Sequence, residues 1–231
     1  MTTLRNIFTT LFIAHSFFAF GQTVNSDTTF LLKETKGGTY HSIFIDTNSA
    51  SEFYDQISDF TFAEFDQKSY SSSLNYLKAN KIVSAKKTIK WIPLKWIILK
   101  QYKDKFYTYK PSDFLSHFKI SIIDSAFIDY TGEGPIANKI IDFVKVDDKT
   151  FKFRLTSINI EDRTLIIHII DKKNGIAVFE DTSKGKNKFF YLMISADKIR
   201  KKPIIVNYCE TEKQLEYHFD KPNYSKLLKN K

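Results

Sequence analysis

Cysteine is nearly absent from this 231-residue chain: Cys209 stands alone, so no intrachain disulfide can form. Its setting in Ile204-Ile205-Val206-Asn207-Tyr208-Cys209 has strand character, where a lone cysteine is read as a small, inert, buried hydrophobe. Glycine and proline are scarce as well, at seven and five. That poverty excludes a collagen-like or linker-rich chain and leaves each Gly or Pro as punctuation between ordered segments. Among 35 basic residues only Arg5, Arg154, Arg163 and Arg200 carry a guanidinium. Nucleic-acid binders use the arginine fork for phosphate and guanine, so no nucleic-acid partner is expected. Beyond the N-terminal segment no apolar run approaches the about eighteen residues of a spanning helix, so the mature chain is expected to have no transmembrane span.

Local catalytic signatures are missing too. The chain holds no G-x-S-x-G, no H-E-x-x-H, no S-x-x-K followed by K-T-G, and no C-x-x-C. His41, His117, His168 and His218 do not stand at ligand spacing from one another or from Cys209, so neither a metal nor a cofactor is expected. Gly132-Glu133-Gly134 has no helix after it, which makes it a hairpin loop rather than a phosphate cradle. One enzymatic route stays open, a hydrolase whose carboxylates meet only in the fold. Asp124 and Asp129 are its candidates, and Asp124 shares a period-two row with Ile122 and Ala126, so it points inward if they do, while a bend after Ile122-Ile123 would turn it equally well to solvent.

The N-terminus carries the clearest positive signal. Met1–Arg5 is short and basic, Ile7–Phe20 is apolar but interrupted by Thr9, Thr10, His15 and Ser16, and Ala19-Phe20-Gly21 sets small residues at −3 and −1. This is the pattern of a secretory signal peptide cleaved near Gly21/Gln22, which places the mature protein in the periplasm or outside the cell. The formal net charge of +9 is unevenly spread: Lys78–Lys110 holds ten Lys and one acid, Asp27–Asp66 eight acids and two Lys. A Lys-rich face suits an anionic envelope component as partner.

Gly37-Gly38 joins two apolar segments as a hairpin turn. Ser49 can cap a helix through Ser58, with Phe53, Ile57 and Phe60 at helical spacing, and a second short helix is expected over 72–81. From Lys86 the period changes to two. Strands are expected over 94–101 and 106–109, over 118–130 as one long strand, and over 136–146, 151–155, 164–170, 176–180, 188–195 and 203–209. Residues 212–219 are expected to be helical and to stop before Pro222. The partition is thus a signal peptide 1–21, a mixed section 22–85 with small helices, an antiparallel β-barrel 86–209, and a short helix with basic tail 210–231.

A long antiparallel meander either closes or splits into two stacked sheets, and closure removes edges that would aggregate. The chain is therefore expected to be mainly β, its meander closing into a calycin-type barrel, with a β-sandwich as the alternative. This organisation resembles that of lipocalin-like exported proteins. The Gly-x-Trp signature of lipocalins is missing, since Ile89 and Leu94 stand two before Trp91 and Trp96.

The ligand-contact candidates are Trp91, Trp96, Tyr107 and Tyr109, an aromatic run interleaved with Lys95, Lys100, Lys103 and Lys105, together with Asp124 and His168. Rings among cations can stack on sugars or hold an amphiphile, whereas the structural alternative makes the rings core and the lysines their solvent-facing alternates. The function these features favour is a non-enzymatic binding protein for a small amphiphilic or glycan ligand. An envelope interaction or inhibitor module acting through the Lys-rich face is the second reading, and the fold-assembled hydrolase the third. Whether the barrel holds an open cavity decides most between them.

Overall fold

The computed structural model describes residues 27–82, 88–113, 117–124, 126–158, 162–183 and 187–229. The expected signal peptide, its cleavage point, Asn230 and Lys231 lie outside the described residues. Two sheets account for thirteen strands. Eight of them, β3 (Lys95–Ile98), β6 (Lys119–Ile122), β7 (Ala126–Thr131), β8 (Gly134–Lys145), β9 (Thr150–Thr156), β10 (Arg163–Asp171), β11 (Ile176–Ser183) and β12 (Asn187–Ser195), close into an antiparallel barrel. Each strand pairs with its neighbour in this series, and β12 returns to β3 through Met193, Ile194 and Ser195 opposite Ile98, Ile97 and Trp96. The expected barrel is present, and the sandwich is set aside.

The remaining strands form a second sheet in the order β1 (Thr28–Lys36), β2 (Thr39–Asp46), β13 (Ile204–Cys209), β5 (Lys105–Lys110) and β4 (Lys100–Tyr102). Three sequence expectations change here. Residues 94–101 are not one strand: the chain leaves the barrel at Leu99 and enters the second sheet at Lys100. Residues 106–109 and 203–209, counted with the barrel, belong to that second sheet, where β13 pairs antiparallel with β2 and parallel with β5. Residues 118–130 are not one strand either, because a turn at Ile123-Asp124 folds β6 back on β7.

Turn chemistry explains the hairpins that were legible. Gly37 and Gly38 both sit at positive φ between β1 and β2, and Lys103-Asp104 takes the same left-handed conformation between β4 and β5. Helix α1 (Phe53–Ser58) starts later than expected, because Asn48 accepts from the Ala50 N–H and ties 48–50 into a turn. Helix α2 (Glu64–Ala79) is longer than expected and starts earlier, its first turn held by Asp66 Oδ2 accepting from the Ala63 N–H. Residues 212–219 are not helical; the chain there is irregular and packs Tyr217 and Phe219 on the second sheet, and helix α3 (Tyr224–Lys229) forms only after Pro222.

The two apolar rows of the barrel strands face different cores. The inner row, including Trp96, Ile120, Phe127, Ile140, Phe151, Phe153, Leu165, Ile167, Phe179 and Met193, fills the barrel. The outer row of β3, β11 and β12 packs through Ile97, Leu99, Val178, Leu192 and Ile194 against Tyr54 and Ile57 of α1 and Ile204 and Val206 of β13. The other face of the second sheet is covered by Tyr217 and Phe219, which meet Tyr102 and Tyr109 edge-on. Cys209, expected as buried core, falls half-exposed at the end of β13. Burial pulls its thiol pKa up, but hydrogen bonds from the Thr211 and Glu212 backbone and the Gln214 side chain outweigh that and bring it below the usual value.

Helix α2 rests on β8 at one glycine. Ser69 donates to the Glu133 carbonyl at 3.0 Å, and Ser73 Oγ accepts from the Ala137 N–H at 3.0 Å. Between them Gly134 has φ +92°, and a Cβ there would stand 2.8 Å from Ser69 Cβ. Gly134→Ala is expected to combine backbone strain with displacement of α2 and to lower stability by about 1–3 kcal/mol, read from urea denaturation.

Candidate functional site

Period two, applied to strands whose lower halves are apolar inside, puts the last inward side chain of each strand at one open end of the barrel. On β10 the inner row is Arg163, Leu165, Ile167 and Ile169, and on β11 it is Ala177, Phe179 and Asp181. β7 contributes Phe127 and then Asp129, and β8 contributes Asn138 above Ile140. The interior is thus hydrocarbon up to one polar layer at the mouth.

That layer is a single hydrogen-bonded unit. Arg163 Nε donates to both oxygens of Asp181 at 3.0 Å, and Nη2 donates to Asp181 Oδ2 at 2.7 Å. On its other side the guanidinium pairs with Asp129 through Nη1 and Nη2. Asn138 Nδ2 donates to Asp129 Oδ2 at 3.0 Å and to the Phe127 carbonyl at 3.0 Å, which fixes the carboxylate from below. All four side chains belong to residues that are buried. Burial opposes the guanidinium charge, yet Asp129 and Asp181 outweigh it and raise the Arg163 pKa above its ordinary value. The Arg163 guanidinium lies 5.7 Å from the Phe127 ring centroid, so the charged layer rests directly on the aromatic fill.

Above this floor lies a cavity of about 230 Å³, lined by Phe118, Thr131, Ile136, Ser157 and Tyr191 along with the four network residues. Phe118 and Tyr191 form a tilted ring pair with centroids 5.2 Å apart. Burial, then the neighbouring Asp181, raises the Tyr191 phenol pKa, so the ring carries its proton at neutral pH. The site therefore joins a wall of two aromatic rings to a floor of two carboxylates, an amide and a guanidinium.

Comparison with known proteins identifies no relative. No family model matches the chain, and neither does any curated protein or solved structure.

The residues singled out in the sequence do not meet at this mouth. Trp96 is wholly buried in the barrel, edge-on to Phe179 at 5.2 Å, with its indole N–H donated to the Pro93 carbonyl. Tyr107 and Tyr109 are buried in the second sheet. Trp91 is 66% exposed at the opposite barrel end, with Lys145 Nζ 5.6 Å from its ring centroid. The aromatic run is therefore core at three of its four positions rather than one platform. Asp124, a candidate for an inward carboxylate, is exposed in the β6–β7 turn; the inward carboxylates are Asp129 and Asp181. His168 stands on the outer wall with Nε2 3.3 Å from Glu180 Oε2, and Glu180 also accepts from Lys188 Nζ at 2.6 Å. Arg163, Asp181, Asn138 and Tyr191 were not foreseen. Scarcity was the signal that could have found Arg163, since it opens an apolar alternation in a chain with very few arginines.

On the outer side of the same rim, His117 is buried, and burial, then the charges of Lys119 and Lys100, pushes its pKa down to about 3. Its unfolded-state value is near 6.5. Between those values the unfolded chain binds a proton here that the folded chain does not. Stability is thus expected to fall as pH drops below about 6.5, by about 1.4 kcal/mol per pH unit from this group. His117→Gln should remove that slope from urea-derived stabilities across the window, whatever its effect at pH 7. Within the mouth, Arg163→Met leaves two buried carboxylates without their countercharge and is expected to lower stability by about 3–5 kcal/mol. Adding Asp129→Asn and Asp181→Asn to that variant should restore part of the loss.

Proposed function

We propose that this is an exported, non-enzymatic binding protein whose barrel mouth holds a glycan unit. The observation that carries the reading is the mouth cavity itself, a wall of the tilted Phe118–Tyr191 ring pair over an Asp129–Asn138–Arg163–Asp181 floor. A pyranose ring presents C–H groups on its faces and hydroxyls around its edge. Aromatic side chains accept the faces, and planar carboxylate, amide and guanidinium groups exchange paired hydrogen bonds with neighbouring hydroxyls. The cavity of about 230 Å³ suits one such ring. Below it the barrel is filled by its own side chains, which leaves no bay for an acyl chain and argues against a fatty amphiphile. Export is supported by the basic, apolar and small-residue pattern of Met1–Gly21.

The filled interior also favours a second reading, an envelope interaction or inhibitor module working through the Lys-rich surface. Calorimetric titration with glucose, galactose, mannose and N-acetylglucosamine separates the two. At least one of these is expected to bind with a Kd on the order of 1 mM, equivalent to about −4 kcal/mol. Tyr191→Ala should weaken that binding at least tenfold while the protein remains folded by circular dichroism. No heat from any of the four would overturn the glycan reading and leave the interaction module.

A further inference from the structure

The rim that bounds the mouth has a second cavity on its outer side, and the two share Thr131. This outer groove, of about 360 Å³, lies between the barrel wall and the chain joining α1 to α2, with Asp59, Thr61, Phe62, His117, Lys119 and Tyr130 in its lining. Strand alternation makes the pair of sites. Phe118 faces the mouth while its neighbours His117 and Lys119 face the groove, and Asp129 faces the mouth while Tyr130 faces the groove. One strand hairpin therefore lines both cavities with successive residues.

The chemistry of the mouth is repeated outside. Phe62 and Tyr130 form a tilted ring pair with centroids 5.7 Å apart, as Phe118 and Tyr191 do within. Asp59 is held in place by the Thr61 N–H at 2.8 Å and its hydroxyl at 2.7 Å, with carboxylate lone pairs left toward the groove. Lys119 donates to the Asp59 carbonyl and lies 5.2 Å from the centroids of both Phe60 and Tyr130, so the ammonium is fixed in position. Asp66 adds a second carboxylate. Ring faces beside fixed polar groups again suit a unit with C–H faces and edge hydroxyls.

We infer that the ligand is an oligosaccharide chain that crosses the rim at Thr131, with one unit in the mouth and the next in the groove beneath the helical section. This rests on the glycan reading of the mouth and extends it from a single ring to a chain. A second unit tethered to the first binds at high effective concentration, so occupation of the groove raises affinity without any change in the mouth.

The test compares each monosaccharide with its short oligomers on the full mature chain: N-acetylglucosamine with chitotriose, and glucose with cellotriose and maltotriose. For at least one series the trisaccharide is expected to bind tenfold or more tightly than its monosaccharide. Phe62→Ala, and separately Gln56→Ala, at an exposed residue that also lines the groove, should bring that ratio towards one. The second variant guards against a packing defect in the first. Equal affinity of monosaccharide and trisaccharide in every series that binds would overturn the inference while leaving the mouth reading standing. A tenfold gain that neither variant reduces would also overturn it, since the extra units would then lie elsewhere. Absence of binding by every saccharide would remove both.

Discussion

Closure of the eight-stranded barrel is the constraint from which the other features follow. A closed antiparallel sheet leaves no free edge and commits one side chain in two to an interior of fixed width. Only three residue pairs, between β12 and β3, make the final seam. Because the seam strand is short, the chain beyond it is free to depart at Leu99 and supply two strands to a second sheet before returning at Lys119. That sheet covers the outer row of β3, β11 and β12, which explains why both rows of those strands are apolar.

Interior width also decides the chemistry of the mouth. Beneath it, large rings and branched chains meet across the barrel, where Trp96, Phe127, Phe151, Phe153 and Phe179 are buried in one core. At the open end the same inward positions carry Arg163, Asp129, Asp181 and Asn138, which satisfy one another. Removing charge from water is costly unless every partner is in place, and a guanidinium with two carboxylates and an amide meets that demand. Held this way, the groups form a rigid polar floor, and rigidity limits the ordering penalty when a ligand arrives.

The alternation of apolar residues and the turn chemistry made the barrel legible in the sequence. Gly37-Gly38 and Gly132-Glu133-Gly134 each announced a reversal that the structure contains, between β1 and β2 and between β7 and β8. What escaped had a physical cause. The β6–β7 turn has neither Gly nor Pro, and Ala126, Ile128 and Tyr130 are apolar because Phe60, Phe62 and Tyr70 cover the outer wall there. An outward row covered by protein carries the same signal as an inward one, so one continuous strand was the natural expectation, and it set Asp124 in one row with Ile122 and Ala126, which face opposite sides of the wall. The aromatic run from Trp91 to Tyr109 misled for a related reason: it spans the switch from barrel to second sheet, and local sequence does not record that its members enter different cores. The Arg163 network joins β7, β8, β10 and β11, and no single segment holds enough of it to be seen.

The place of β13 governs the order in which the molecule can assemble. It is the last strand in the chain, yet it lies between β2 and β5. The N-terminal hairpin and the β4–β5 hairpin have no ladder in common, so neither acquires its native neighbour until Ile204–Cys209 has been synthesised. Every barrel strand is complete by Ser195, so the barrel has all its pairing partners before β13 begins. During synthesis the β1–β2 hairpin must wait with its inner edge unpaired while about 160 residues are added, and the parallel contact with β5 spans nearly half the chain. Strand β13 thus acts as the clasp of the second sheet, joining two hairpins that otherwise share no ladder.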